Sequence, residues 1–274
     1  MPNNNKKNIL IDSHVHLYDN FDPDSFIESI TRNFRKFGTL DENEFAESVK
    51  MIFLTEAKDN DFFTRMEDNS LPLKNCDIHT EKTGENSSIL LKQNGNELFY
   101  IIRGRQIITK ENIEILSVGD GPRIKDGLPA AEVLEKIRGN EQLGILAWGV
   151  GKWLLGRGKV VKNIINTLEY PLLLIGDNSA RPSLWIKPLI YRKGDKLGIP
   201  VVAGSDPLPL DGEDKKAGSY FFMVKGRFDP KKPLNSIKKI LKSDIKGIKN
   251  TGKRDSVFTF FKRQSRIMLK KYIK

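Results

Sequence analysis

The chain is poor in sulfur and imidazole and has no long apolar run, and each shortage excludes something. A single cysteine, Cys76, rules out an internal disulfide and a cysteine-built zinc cluster, and fits a reducing cytoplasm. With only three histidines, His14, His16 and His79, any metal centre must draw mostly on carboxylates. The absence of a run of about 18 apolar residues excludes a spanning helix. Met1 to Lys7 is polar and lacks the apolar segment of a signal peptide, so the expected location is cytoplasmic.

Acidic residues are scarce only near the C-terminal end. Among 274 residues, 46 Lys and Arg stand against 35 Asp and Glu, a formal net charge of +11. Lys225 to Lys274 holds 17 basic and 3 acidic residues, and the preceding 224 residues hold 29 and 32. The body is therefore nearly neutral, which argues against a nucleic-acid-binding domain with positive charge over its whole surface. Nucleic acid is the less favoured partner class. Hydrophobic residues at 38% and charged residues at 30% describe a globular chain, with a length suited to one large α/β domain or two small ones.

Along the chain, short apolar runs alternate with helical spacing. Asn8 to His16 starts apolar and ends polar, as a buried strand with chemistry at its carboxyl end does. Asp22-Pro23-Asp24 is a helix start, followed by Phe26, Ile27, Ile30 and Phe34. Val49 to Thr55 predicts a second strand ending at Glu56, and Asn60 to Asn69 a short helix. Ser88 to Gln93, the Asn94-Gly95 turn and Glu97 to Arg103 predict a hairpin, which Gln106 to Thr109 and Ile113 to Val118 extend into a meander. Helix and strand then alternate: helices over Pro129–Arg138, Leu155–Leu168, Pro188–Leu197 and Pro233–Leu241, strands over Leu143–Val150, Leu172–Gly176, Pro200–Gly204 and Ser219–Val224. This order predicts a parallel α/β architecture.

Polar residues collect at the strand ends. Asp12, His14 and His16 close the first strand, and Glu56 closes the second. Lys152 follows AWGVG, Asp177 and Asn178 follow LLLIG, and Asp206 follows VVAGS. Ligands of α/β sheets and barrels bind at the carboxyl ends of the strands, so these residues form one candidate site. His-x-His on a strand points two imidazoles to one side, where they can converge on a metal. The bland alternative is a buried ionic network, with Glu56, Asp177 and Asp206 paired to Lys152 and Arg181 and no catalysis. His79, in a polar loop, is expected to be solvated, and nothing near Cys76 suggests a nucleophile.

With these motifs in hand, the sequence resembles the PHP (polymerase and histidinol phosphatase) family over most of Asn8 to Val224. Asp12-Ser13-His14-Val15-His16 is similar to the family's first His-x-His motif. Leu54-Thr55-Glu56-Ala57 resembles its Asp-His motif with the imidazole missing. Gly104-Arg105-Gln106-Ile107-Ile108 resembles the bridging-glutamate segment, with a neutral Gln106. In Glu114-Ile115-Leu116, Glu114 stands at a histidine position. Leu146-Ala147-Trp148-Gly149 carries Trp148 in place of a histidine, and Gly204-Ser205-Asp206-Pro207-Leu208 keeps Asp206 while Leu208 replaces a histidine. The resemblance implies a distorted (βα)7 PHP-like, TIM-type barrel spanning residues 1–245, with the meander at 86–118 as an elaboration and a basic helical tail at 246–274. It also implies one or two divalent ions (Zn, Mn or Fe) on His14, His16, Glu56, Glu114 and Asp206.

The activity expected from the resemblance is that of a metal-dependent hydrolase of phosphoesterase type acting on an anionic small molecule. The alternative is a non-catalytic PHP-like binding or regulatory protein with a degenerate metal site. Glu56 or Asp177 would serve as general base, and Lys152 and Arg181 would neutralise developing charge. Arg157, Asn178 and Trp148 would contact substrate. Ser256 to Lys274 combines apolar and basic residues. It reads either as a helix for a membrane surface or protein partner, or as one docked on the barrel with its lysines in water, and docking is favoured. Lys246 to Arg254, polar and glycine-containing, is expected to be a flexible joint.

Overall fold

The apolar run from Ile9 becomes strand β1 (Lys7–Val15) in a computed structural model that describes residues 6–149, 151–153, 155–243 and 245–272. The Asp22-Pro23 signal starts helix α1 (Pro23–Phe37), where the Asp22 carboxylate accepts from the Ser25 N–H at 3.0 Å. Its periodic face buries Phe26, Ile27, Ile30 and Phe34. A capping box between Asp41 and Glu44 opens α2 (Glu42–Glu47), an element the sequence reading missed. The chain continues through β2 (Val49–Glu56), α3 (Phe62–Glu67), β3 (Ile78–Lys82), β4 (Ser88–Gln93), β5 (Asn96–Ile108) and β6 (Glu114–Val118). Then follow α4 (Ala130–Gly139), β7 (Leu143–Ala147), α5 (Leu155–Thr167), β8 (Leu173–Asn178), α6 (Leu189–Lys196) and β9 (Val201–Gly204). A 3₁₀ turn at Glu213–Lys216 leads to β10 (Tyr220–Gly226), α7 (Pro233–Ser243), β11 (Lys249–Gly252) and α8 (Val257–Tyr272).

Nine strands follow one path, β11-β10-β1-β2-β5-β6-β7-β8-β9, and curl into a nearly closed barrel. β1, β2 and β5 run parallel, as do β7, β8 and β9. β6 is antiparallel to both its neighbours, and β10 is antiparallel to β1 and β11. The expectation of a parallel (βα)7 barrel is corrected accordingly: the sheet is mixed and strand-rich. One physical reason lies in a short turn, because the five residues between β5 and β6 allow only an antiparallel return. The expected meander is therefore part of the wall in its second half, while β4 pairs only with the first half of β5 and β3 only with β4.

The seam lies between β9 and the opposite end of the path. The Ser13 hydroxyl donates to the Ala203 carbonyl at 2.9 Å, and the Asp206 N–H donates to the His14 carbonyl at 2.8 Å. Gly204 is required here, since a Cβ would fall 2.5 Å from the Cβ of His14 and 2.7 Å from its nitrogen. On the far side, the Asn250 side chain of β11 acts like a peptide unit. Its Oδ1 accepts from the Ala203 N–H at 2.9 Å and its Nδ2 donates to the Val201 carbonyl at 2.8 Å. The segment expected to be a flexible joint thus contains a paired strand that clasps the barrel. The strand expected to reach Val150 ends at Ala147, and Val150 itself lies outside the described residues.

Strand alternation divides the core in two. Ile9 and Ile11 join Met51, Phe53, Ile102, Ile145, Ile175 and Phe222 in a cluster that extends to α4, α5 and α7. Leu10 joins Ile52, Leu54, Ile101 and Phe221 beneath α1 and α3. Cys76 is exposed, and His79 is an exposed residue of β3, 3.8 Å from Glu81.

Candidate metal centre

The polar end of β1 meets the last residues of β5 and β9 at one mouth of the barrel. Between Asp12 and Val15 the pairing with β2 shifts register, an irregularity of the kind that re-aims side chains next to functional sites. His14 and His16, two residues apart, bring their Nε2 atoms to 2.9 Å of each other. Asp206 Oδ1 stands 3.6 Å from each. Among the described residues these three form a group able to hold a metal ion, their donor atoms all within 4.8 Å. Donors on an ion with bonds of about 2.1 Å sit roughly 3.0 to 3.5 Å apart, so the triangle has the size and the mixed nitrogen and oxygen chemistry that such an ion requires. The Gln106 Oε1 atom lies 3.2 Å from His14 Nε2 and adds a neutral oxygen to the same face.

Each member is held from behind. Asp206 sits at φ 47°, in the left-handed region that aspartate tolerates better than most non-glycine residues. Asn178 Nδ2 bridges Asp206 Oδ2 at 2.9 Å and the Trp148 carbonyl at 2.8 Å. From α8, the guanidinium of Arg263 donates to the Asp206 carbonyl at 3.2 Å, to Glu213 at 2.6 Å and to Asp255 at 2.7 Å. The first strand is secured through Asp12, whose fully buried carboxylate accepts from the backbone N–H groups of Ser205 and Gly218, both at 2.8 Å, and of His14 at 3.3 Å.

Burial and charge set the protonation of the pair. Burial, together with the neighbouring His14, pushes His16 down to about 4, so its ring is neutral at pH 7 and can present a lone pair. Burial alone would raise Asp206, but His14, His16, Arg263 and Lys152 outweigh it and hold the carboxyl below its ordinary range. A neutral imidazole beside a persistent carboxylate is the state in which both groups can ligate a cation.

The other residues expected at the site are placed differently. Glu56 is buried, but its Oε1 accepts from the Phe63 N–H at the start of α3 at 3.0 Å and its Oε2 lies 3.8 Å from Arg105. Burial raises its pKa, and it is spent on capping a helix rather than on the histidine pair. Glu114 is ion-paired with Lys152. Asp177 points to the outer side of β8, where Arg181 grips it through two 2.7 Å bonds and Tyr191 and Tyr220 donate at 3.1 and 2.9 Å. Strand alternation explains the split: Asn178 turns toward Asp206, so Asp177 must turn away. Asp177 and Arg181 are therefore a satisfied buried pair outside the mouth, as the bland reading of the sequence held for these two. Arg157 donates to the Gly151 carbonyl at 2.9 Å, and Trp148 is buried in the core. Gln106 and Arg263 are the residues that sequence reasoning missed. The first was set aside as neutral, and the second is one cation among many in a basic tail.

No family model and no curated protein sequence matches this chain. Solved structures similar to it include PsfC from Pseudomonas syringae PB-5123, with a TM-score of 0.52, 12% identity, and coverage of 98% of this chain and 100% of that one. The lesion-specific endonuclease PfuEndoQ from Pyrococcus furiosus is similar with a TM-score of 0.51 and 12% identity over 89% of this chain, which spans 57% of that protein's length. At such identities the likeness concerns the fold alone.

Proposed function

We propose that the protein is a metal-dependent hydrolase of phosphate esters, with one divalent ion held by His14, His16 and Asp206 and the Gln106 carbonyl as a further oxygen donor. The convergence of two imidazole Nε2 atoms and a carboxylate oxygen on one point carries this reading. When bound, the ion lowers the pKa of a ligated water and polarises a phosphoryl oxygen. Asn178 and Arg263 fix Asp206, and the seam through Gly204 fixes the distance between the β1 and β9 donors. Lys152, one-third exposed beside Glu114, is the cation best placed to meet an anionic substrate at the mouth. With Glu56 and Asp177 both engaged elsewhere, neither is assigned the role of base.

The tying up of Glu56 and Glu114 favours a second reading, a PHP-like binding protein whose site holds a single ion without turnover. Purified protein analysed for bound metal, then assayed against a phosphomonoester, a phosphodiester and abasic DNA, separates the two. The hydrolase reading expects a stoichiometric ion that the His14→Ala/His16→Ala variant lacks, and metal-dependent release from one of the three substrates. Metal without release leaves the binding reading. A double variant that keeps its metal removes both. The similarity to an endonuclease supports including DNA among the substrates.

A further inference from the structure

A helix docked on a globular body buries its apolar stripe and turns its charges to water. α8 does the reverse. Its inner face inserts Arg263 and Phe260, both under 5% exposed. Phe258 and Phe261, three residues apart, and Met268 and Leu269, two turns further on, share the outer face, each at least 59% exposed. α8 is thus docked through these two inner residues, and its water-facing side carries this stripe as well as Lys262.

The stripe is continued by a second apolar element. Residues 182–189, the latter part of the β8–α6 connection and the first residue of α6, expose Leu184, Ile186 and Leu189 at 78 to 84%. They are tied to the start of α8: the Ser183 N–H donates to the Asp255 carbonyl at 2.9 Å, Arg254 donates to the Ser183 carbonyl at 3.2 Å, and the Trp185 ring lies 5.2 Å from that of Phe260. The exposed cations Lys187, Lys253 and Lys262 border this surface. Neither 182–194 nor 256–272 contains an acidic residue, and the carboxylate of Asp255 is turned inward to Arg263 and Lys216.

We propose that this face docks on an anionic lipid bilayer, with Leu184, Ile186, Phe258 and Phe261 entering the interface and the three lysines meeting lipid phosphates. Charge decides against a second copy of this chain, because face-to-face contact would set one predominantly basic surface against another. Shape decides against a partner segment held in a groove of this face, since Leu184, Ile186 and Phe258, exposed by about four-fifths, project outward rather than line a pocket. An apolar surface with a predominantly basic border, in which Asp195 and Asp211 are the nearby exposed acids, matches an amphipathic interfacial anchor. No helix among the described residues is long and apolar enough to cross a membrane.

The test is co-sedimentation of the full chain with vesicles of phosphatidylcholine alone and with added phosphatidylglycerol. Binding is expected only to the anionic vesicles, and it should weaken as salt rises from 50 to 500 mM. Leu184→Ser/Ile186→Ser/Phe258→Ser/Phe261→Ser should bind at least tenfold more weakly, with metal content and melting temperature unchanged. Lys187→Glu/Lys262→Glu, which leaves the packing alone, should show the same loss and guards against misfolding of the first variant. Equal partition onto both vesicle types, no partition onto either, or a concentration-dependent dimer abolished by the serine variant would overturn the proposal. So would binding to duplex DNA that the same variants remove while vesicle binding persists.

Discussion

Replacing Arg263 with methionine tests how firmly α8 secures the mouth of the barrel. The guanidinium is 3% exposed and satisfies Glu213 at 2.6 Å and Asp255 at 2.7 Å, both themselves buried. Removing one partner of a buried ionic group destabilises by about 3 to 5 kcal/mol, because the remaining charges are stranded. Here Lys216 stays behind, 2.8 Å from Asp255 and 3.7 Å from Glu213. Burial and the nearby Arg263 hold its pKa below the usual lysine value, so losing Arg263 strengthens its charge and offsets part of the loss. The expected cost is therefore at the lower limit, about 3 kcal/mol. An unfolding entropy of about 2.1 cal/mol/K per residue gives roughly 0.6 kcal/mol/K for a chain this size, and a fall in Tm of about 5 °C. Scanning calorimetry of the metal-free protein reads this directly. Arg263→Met/Glu213→Gln, which removes a stranded charge, should recover at least about 1 kcal/mol. A single variant within about 0.5 kcal/mol of wild type, or a double variant worse than the single, would refute the reasoning.

Three other perturbations separate support from chemistry. Asp177→Asn should destabilise by about 3 to 5 kcal/mol by leaving Arg181 unpaired in the interior, yet leave metal stoichiometry unchanged; loss of metal would place Asp177 at the site after all. Asn250→Ala should speed hydrogen exchange at the Ala203 amide while amides between β1 and β2 stay protected, and destabilise by about 1 to 3 kcal/mol; an unchanged Ala203 amide would mean the clasp does not form in solution. Acid should remove the contribution of His16 to the stability of the metal-free protein. His16 titrates near 4 in the fold against an ordinary 6.5, so between those values only the unfolded chain takes up this proton, while Asp12, pushed up to about 7 by burial, works in the opposite direction over the same window. His16→Gln should therefore raise stability at pH 4 relative to pH 7 when compared with wild type, and an identical profile in the variant would contradict the assigned burial effect.

Much of the barrel was legible because apolar strand runs end in polar residues, a pattern visible in NILIDSHVH and VVAGSD. The Asp22-Pro23 helix start and the Asn94-Gly95 hairpin were legible for equally local reasons. What escaped was carried by long-range geometry. Lys249–Gly252 has no apolar residue to announce a strand, and its place is fixed by backbone pairing with β10 and by one side-chain amide. The direction of Asp177 depended on which residue of β8 faces inward, and a register error of one residue reverses that assignment. Arg263 could not be told from its basic neighbours, since nothing local marks a cation destined for burial. Gln106 was judged by charge, whereas its carbonyl oxygen is what faces His14.

Strand β1 lies between β2 and β10, and its Asp12 is bonded to Gly218, 206 residues further along the chain. At a synthesis rate of about 5 to 20 residues per second, roughly 10 to 40 seconds separate the two. Until β9, β10 and α8 have been made, His14 and His16 can pair with β2 but have neither Asp206 nor a wall on their other side. The nascent protein therefore remains an open half-barrel, with His14 and His16 lacking their carboxylate neighbour, until the segment from β9 to α8 has been added.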